Sequence, residues 1–179
     1  MRVAIVNPPI LRQGRVPVLT QSRIFSFTHS KEIRIYPLVM AEAATQLRQA
    51  GFETAWMDGV AAGMAPDEWW ADFEAFRPDL AVMETKASVI RDHWGLVDVM
   101  KERMPGSRIV LVGDHVTYFP EESLGACGAD YVATGGDYDV SVTGIARHVR
   151  GDAPDLPGGV WFRRDGKAAS AGPYSHVGN

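Results

Sequence analysis

The chain reads as an α/β protein built on a doubly wound, five-stranded parallel sheet in the order 2-1-3-4-5, with a hairpin extension at its C-terminal end. Three observations predict this. Short apolar runs stop abruptly at turn or polar residues: Val3-Ala4-Ile5-Val6 meets Asn7-Pro8-Pro9, and Ile109-Val110-Leu111-Val112 meets Gly113-Asp114-His115. Parallel strands buried on both faces have this appearance. Helical patterns lie between the runs, and most connections are short, so right-handed crossovers place helices on both faces of the sheet.

Each element follows from its residues. Val3 to Val6 is the first strand. Residues 10 to 34 form a long irregular stretch carrying Arg12, Arg15, Arg23 and Arg34, and connections of that length are usually functional or mobile. Pro37 to Ala50 reads as a helix, with Pro37 in the first turn, several alanines, and Gly51 at the C-terminal cap. Thr54 to Met57 is a strand ending at Asp58-Gly59. Asp67 to Phe76 is a helix with Trp69, Phe73 and Phe76 on one stripe. Leu80 to Met83 is a strand. Ile90 to Met104 is a helix with Ile90, Trp94, Val97, Met100 and Met104 at helical spacing, stopped by Pro105-Gly106. Ile109 to Val112 is the fourth strand, Pro120 to Ala126 a short helix, and Tyr131 to Ala133 the fifth strand. Tyr138, Val142, Ile145 and Val149 mark a closing helix, with Asp137 at its N-cap. After Gly151 the pattern changes. Pro154 to Gly159 is turn-rich, and Val160 to Arg164 followed by Asp165-Gly166 resembles a hairpin arm with nothing evident to pack on. The expected division is residues 1–151 as one binding domain and 152–179 as a linker and hairpin leading towards a further domain.

Composition narrows the function. Among 179 residues, 46% are hydrophobic and 22% charged, as in an ordinary soluble domain that buries roughly 70% of its unfolded surface. The net charge of −4 argues against nucleic acid as a partner. No run approaches the ~20 apolar residues of a membrane helix. Met1-Arg2 leads straight into a strand with no signal-peptide pattern, so a reducing cytoplasm is the expected compartment. The single Cys127 excludes an intrachain disulfide, and its Gly-Ala-Cys-Gly setting suggests a small buried residue.

Several chemistries fall away. Asn7-Pro8-Pro9 stands where a dinucleotide fold needs G-x-G-x-x-G, and proline removes a backbone donor that phosphate would use. The same loop lacks the carboxylates of a receiver domain. No G-x-S-x-G elbow occurs. His29, His93, His115, His148 and His176 are too scattered for a local zinc site, so no metal site is assigned; all but His115 read as surface or capping residues.

What remains is the rim of the sheet's carboxyl edge, where open α/β sheets bind ligands. It carries Asn7-Pro8-Pro9, Asp58-Gly59, Glu84 to Ser88, Gly113-Asp114-His115 and Thr134 to Asp137. Thr85, Ser88 and Thr134 donate or accept hydrogen bonds. Gly113, Gly135 and Gly136 either serve tight turns or let a ligand approach the backbone. Glu84 and Lys86 read as a rim ion pair worth ~1 kcal/mol or less. Such a rim suits a long, mostly neutral ligand rich in amides and hydroxyls better than a compact anion.

The same residues resemble the N-terminal cobalamin-binding domain of cobalamin-dependent radical S-adenosylmethionine enzymes of the methyltransferase type. The matching runs are Val3 to Pro9, Tyr36-Pro37-Leu38 entering a helix that ends at Ala50-Gly51, Val112 to Thr117 with Pro120-Glu121-Glu122, Gly128 to Val132, Pro157-Gly158, and the Val160 to Arg164 arm. The resemblance implies a flavodoxin-like sheet holding cobalamin with its nucleotide tail along the strand ends and its corrin facing a catalytic domain. It implies that Gly113, Gly135 and Gly136 flank the tail, that Thr85 and Ser88 hydrogen-bond the nucleotide or corrin amides, and that Asn7 and Pro8 shape the floor. Asp114, His115 and Thr134 complete the implied cofactor-binding set. The D-x-H-x-x-G motif is absent, so no histidine from the first loop is expected on cobalt. The C-x-x-x-C-x-x-C motif is absent too. S-adenosylmethionine and a four-iron four-sulfur cluster are therefore expected only in a radical domain elsewhere in the same or another chain, and this chain is not catalytic alone. The alternative is a noncatalytic flavodoxin-like interaction module without cobalamin, suggested by Asp114 and Asp137 in the groove; a flavin or nucleotide-sugar binder is a third reading.

Overall fold

A computed structural model describes residues 1–10 and 36–174, together with the backbone of two short strands between them. The remaining residues of the arginine-bearing stretch, with Arg12, Arg15, Arg23 and Arg34, lie outside the described residues, as do His29 and His176.

The elements are β1 (Arg2–Asn7), β2 (Val16–Pro17), β3 (Phe27–Thr28), α1 (Leu38–Gln49), β4 (Glu53–Asp58), α2 (Gly59–Ala62), α3 (Pro66–Phe76), β5 (Leu80–Glu84), α4 (Ile90–Arg103), β6 (Arg108–Val112), α5 (Asp114–Tyr118), α6 (Pro120–Ala126), β7 (Tyr131–Ala133), α7 (Tyr138–Arg150), β8 (Val160–Arg164) and β9 (Lys167–Ser170). The main sheet has seven strands in the order β4-β1-β5-β6-β7-β8-β9. Its first five are parallel and stand in the predicted order 2-1-3-4-5. β2 and β3 pair antiparallel as a separate ribbon.

Alternation along each central strand builds two cores. Val3, Ile5, Leu80, Val82, Val110 and Val112 face α1 and α7. Ala4, Val6, Ala81, Met83, Ile109 and Leu111 face the layer of α3, α4 and α6. The period of two splits every strand between these layers, which is why the runs are apolar throughout.

The hairpin corrects one expectation. It does have a packing partner: β8 lies antiparallel on β7, with Ala133 opposite Val160 and Tyr131 opposite Phe162, and β9 completes the sheet edge. Val160 is wholly buried. Arg163 reaches across to the carbonyl oxygens of Leu124, Cys127 and Ala129. These belong to the end of α6 and the turn after it, where helix carbonyls otherwise lack partners. The Asp165-Gly166 turn has positive φ at both residues, 51° and 77°, matching the twist of a tight hairpin.

His93 is a second correction. It is not a surface or capping residue: its side chain is wholly buried on α4 and neither ring nitrogen has a hydrogen-bond partner. Burial lowers its pKa to about 4, so the ring is neutral near pH 7. Cys127 is buried, and desolvation pushes its thiol up to about 11. Among the described residues no helix is long and apolar enough to cross a membrane.

Candidate functional site: the carboxyl edge of the sheet

The chain leaves β1 for β4 on one side, and β5 takes the place on β1's other side. Between β1 and β5 the winding direction reverses, and crevices form at such a point. Four residues meet there: Asn7 ending β1 and Pro8 just after it, Glu84 ending β5 and Thr85 just after it.

Asn7 is locked in one orientation. Its Nδ2 donates to Asp58 Oδ1 at 2.8 Å, and that oxygen also accepts the Ala61 amide at 2.9 Å, capping α2. A carboxylate only accepts, so the amide nitrogen faces it and the amide oxygen faces away. That Oδ1 is buried and has no partner. Pro8 is buried beside it. Gly59 lets Pro9 and Trp69 close over the start of α2, since a Cβ there would stand 2.8 Å from the Pro9 ring and 2.6 Å from the indole.

Thr85 sits on the neighbouring strand end. It is wholly buried, yet its Oγ1 has no partner. Its backbone N–H donates to Val112 O at 2.9 Å, which seals β5 to β6. Gly113 packs directly against the Thr85 carbonyl, with φ 113° and ψ −174°. Its missing Cβ is thus explained by strand packing rather than by space for a ligand.

Glu84 departs from the expected rim ion pair. Its carboxyl is largely buried and hydrogen-bonds the Tyr138 hydroxyl at the start of α7. Burial raises its pKa to about 7; Lys86 and the Tyr138 bond oppose the rise, and the charge of Asp114 adds to it. Tyr138 is pushed up as well, by burial and then by Glu84, so its proton stays in place. Near neutral pH the pair offers both a donor and an acceptor at the switch point.

The other candidates are dispersed. Ser88 and Asp114 are exposed. His115 lies between the rings of Trp94 and Phe119, with centroids at 5.8 and 5.2 Å. Its Nε2 is 3.4 Å from Glu122 Oε2, an ion-pair distance without hydrogen-bond geometry. The Thr134 hydroxyl donates to Gly159 O at 2.6 Å and ties β7 to the hairpin. Gly135 is covered by the Tyr174 ring, whose Cε2 would stand 2.8 Å from a Cβ there. Gly136 alone of the three glycines has open space around it and ordinary φ. Asp137 holds the N-cap position of α7, but its side chain makes no cap bond; it accepts from the Tyr174 hydroxyl at 2.7 Å.

So the structure joins Asn7, Pro8 and Thr85, and adds Glu84 with Tyr138 and Asp58. It separates His115, Thr134 and Gly135 from them. The Asp58 contact had a signal, since its strand end was legible. The Tyr138 and Tyr174 contacts had none. A groove of about 600 Å³ lies at the opposite edge, lined by Arg108, Tyr131, His148, Asp155, Phe162 and Arg164. It touches the amino ends of β6 and β7, away from the switch point. Among the described residues no three His, Cys, Asp or Glu side chains converge to hold a metal ion.

No protein-family model and no curated protein sequence matches the chain. Solved structures do match. One is the radical S-adenosylmethionine methyltransferase TsrM from Kitasatospora setae with cobalamin and a four-iron four-sulfur cluster bound, with a TM-score of 0.72 at 16% identity. Another is the same enzyme with its tryptophan substrate and the S-adenosylmethionine analogue aza-SAM, with a TM-score of 0.69 at 14% identity. The match covers 99% and 96% of this chain but only 30% and 29% of those chains. The chain therefore shares its fold with about three-tenths of a cobalamin-bearing radical enzyme.

Proposed function

We propose that this chain is a cobalamin-binding module that works with a radical S-adenosylmethionine domain in the same or another chain, within a methyltransferase-like enzyme. The observation that carries the reading is the pair of buried, unpartnered polar atoms on adjacent strand ends, Asn7 Oδ1 and Thr85 Oγ1. Each such atom costs roughly 1–3 kcal/mol while it lacks a partner. A ligand with amides and hydroxyls along its length relieves that cost, and cobalamin is such a ligand. Glu84 and Tyr138 supply further hydrogen bonds beside them, and Pro8 supplies an apolar floor. Bound cobalamin supplies a cobalt centre able to carry a methyl group. The residues of this chain bind and orient it. Cys127, single and buried, is no ligand set for an iron-sulfur cluster, so the cluster and S-adenosylmethionine belong to the partner domain.

The test is titration with hydroxocobalamin followed by desalting. Retained chromophore and a Kd tighter than about 10 μM, roughly −7 kcal/mol, are the expected result. Thr85→Val keeps the shape and removes the orphaned hydroxyl. Its ligand-free form is expected to be as stable as wild type or about 1 kcal/mol more stable, while cobalamin retention weakens about tenfold. No retained chromophore at micromolar protein overturns the reading. A partner captured equally with and without cobalamin, by a chain that retains no chromophore, would establish the interaction module instead.

A further inference from the structure

The β8–β9 hairpin reverses the chain twice. β8 runs down from the carboxyl edge and β9 returns to it, so the segment after Ser170 emerges beside the end of β7. Two backbone bonds hold it there, Ala171 N to Val160 O at 2.8 Å and Gly159 N to Gly172 O at 3.0 Å. Tyr174 then turns over the rim. Its ring rests in a seat formed by Gly135 and Gly159, with φ of 94° and 80°. A Cβ on Gly135 or on Gly159 would stand 2.8 or 2.9 Å from ring carbons. The seat is thus made of two residues from different connections, β7 to α7 and α7 to β8, each bare where the ring approaches. The hydroxyl is fixed by Asp137 Oδ2 at 2.7 Å.

This ring occupies the surface that a ligand lying along the strand ends would cross at β7. Building on the proposed cobalamin site, we propose that Tyr174 is its specificity-determining residue, closing the β7 end so that the crevice favours corrinoids with a short or absent nucleotide over those whose tail must pass Gly135. The rest of the rim runs from Asn7 and Pro8 across Glu84 and Thr85 to the end of β6. A corrin without a nucleotide needs only that stretch. A full cobalamin has to displace the ring from its seat and break its bond to Asp137.

The experiment compares hydroxocobalamin with cobinamide, the same corrin lacking the nucleotide, on wild type, Tyr174→Ala and Tyr174→Phe. Circular dichroism and the thermal midpoint confirm that each variant is folded. Tyr174→Ala is expected to tighten cobalamin binding about tenfold and to leave cobinamide unchanged, so the ratio of the two affinities moves. Tyr174→Phe keeps the ring in its seat and is expected to shift that ratio about twofold or less. A ratio unchanged in Tyr174→Ala, or cobalamin binding weakened there, overturns the role of Tyr174 while leaving the crevice intact. Binding of neither corrinoid to any of the three proteins overturns the crevice and the gate together. Binding of both corrinoids by wild type, with cobalamin alone tightened in Tyr174→Ala, supports both.

Discussion

Gly113→Ala is expected to destabilise the protein by about 3–5 kcal/mol, the largest effect of any single methyl group added at the carboxyl edge. Two costs add. The backbone at φ 113° and ψ −174° lies in a region that essentially only glycine adopts, worth about 1–3 kcal/mol for another residue. The new Cβ would also fall well inside van der Waals contact with the Thr85 carbonyl. That carbonyl is backbone, so relief requires moving the β5 end away from β6 and loosening the bond from Thr85 N to Val112 O. Gly136→Ala is the matched control. Nothing lies within 4 Å of its Cβ position, so its effect should stay within about 0.5 kcal/mol. Urea denaturation of the two variants against wild type decides the matter. Equal midpoints for Gly113→Ala and Gly136→Ala would show that β5 and β6 are not closely packed at their ends.

The contrast between these two glycines shows what the sequence could disclose. The strand ends were legible because parallel strands buried on both faces have no polar residue until they stop; Val112 before Gly113 is such a stop. The five-strand order followed from the connections. Which glycine faces a neighbour was not legible, because Thr85 and Gly113 are brought together only by the pairing of β5 with β6. The hairpin's place on β7 was hidden for the same reason, since only Val160 of β8 is fully buried and the strand ends in the exposed Arg163 and Arg164. His93 was hidden by a different cause. The stripe through Ile90, Trp94, Val97 and Met100 and the stripe through Ile90, His93, Val97 and Met100 share three of their positions, and a period of 3.6 does not choose between them. Packing chose the second: Trp94 is only partly buried. At the site, Asn7 and Thr85 were readable as polar residues at strand ends. That each would hold a buried oxygen without a partner was not.

Glu84 and His93 together lead to the second large effect, in which two opposing pH dependences conceal each other. Glu84 titrates at about 7 in the folded protein against 4.5 as an ordinary carboxyl. The folded state therefore binds the extra proton between those values, and stability falls as pH rises from 4.5 to 7. His93 titrates at about 4 against an ordinary 6.5. Here the unfolded state binds the extra proton, and stability is lost as pH falls from 6.5 to 4. Each window spans about 2.5 pH units, or about 3 kcal/mol. Between pH 4.5 and 6.5 the two slopes are equal and opposite, so together they leave the wild-type profile flat. Glu84→Gln keeps a partner for Tyr138 and removes one slope. Relative to wild type, its stability is expected to rise with pH by about 3 kcal/mol between 4.5 and 7. His93→Leu fills nearly the same volume and removes the other. Its stability relative to wild type is expected to fall by about 3 kcal/mol as pH rises from 4 to 6.5, while the loss of two orphaned ring nitrogens stabilises it at low pH most of all. Urea midpoints at half-unit pH steps measure both differences. Parallel profiles for wild type and Glu84→Gln would mean that the carboxyl beside Tyr138 is solvated, and the switch point would then lack the protonated acid that lets it donate to an amide oxygen near neutral pH.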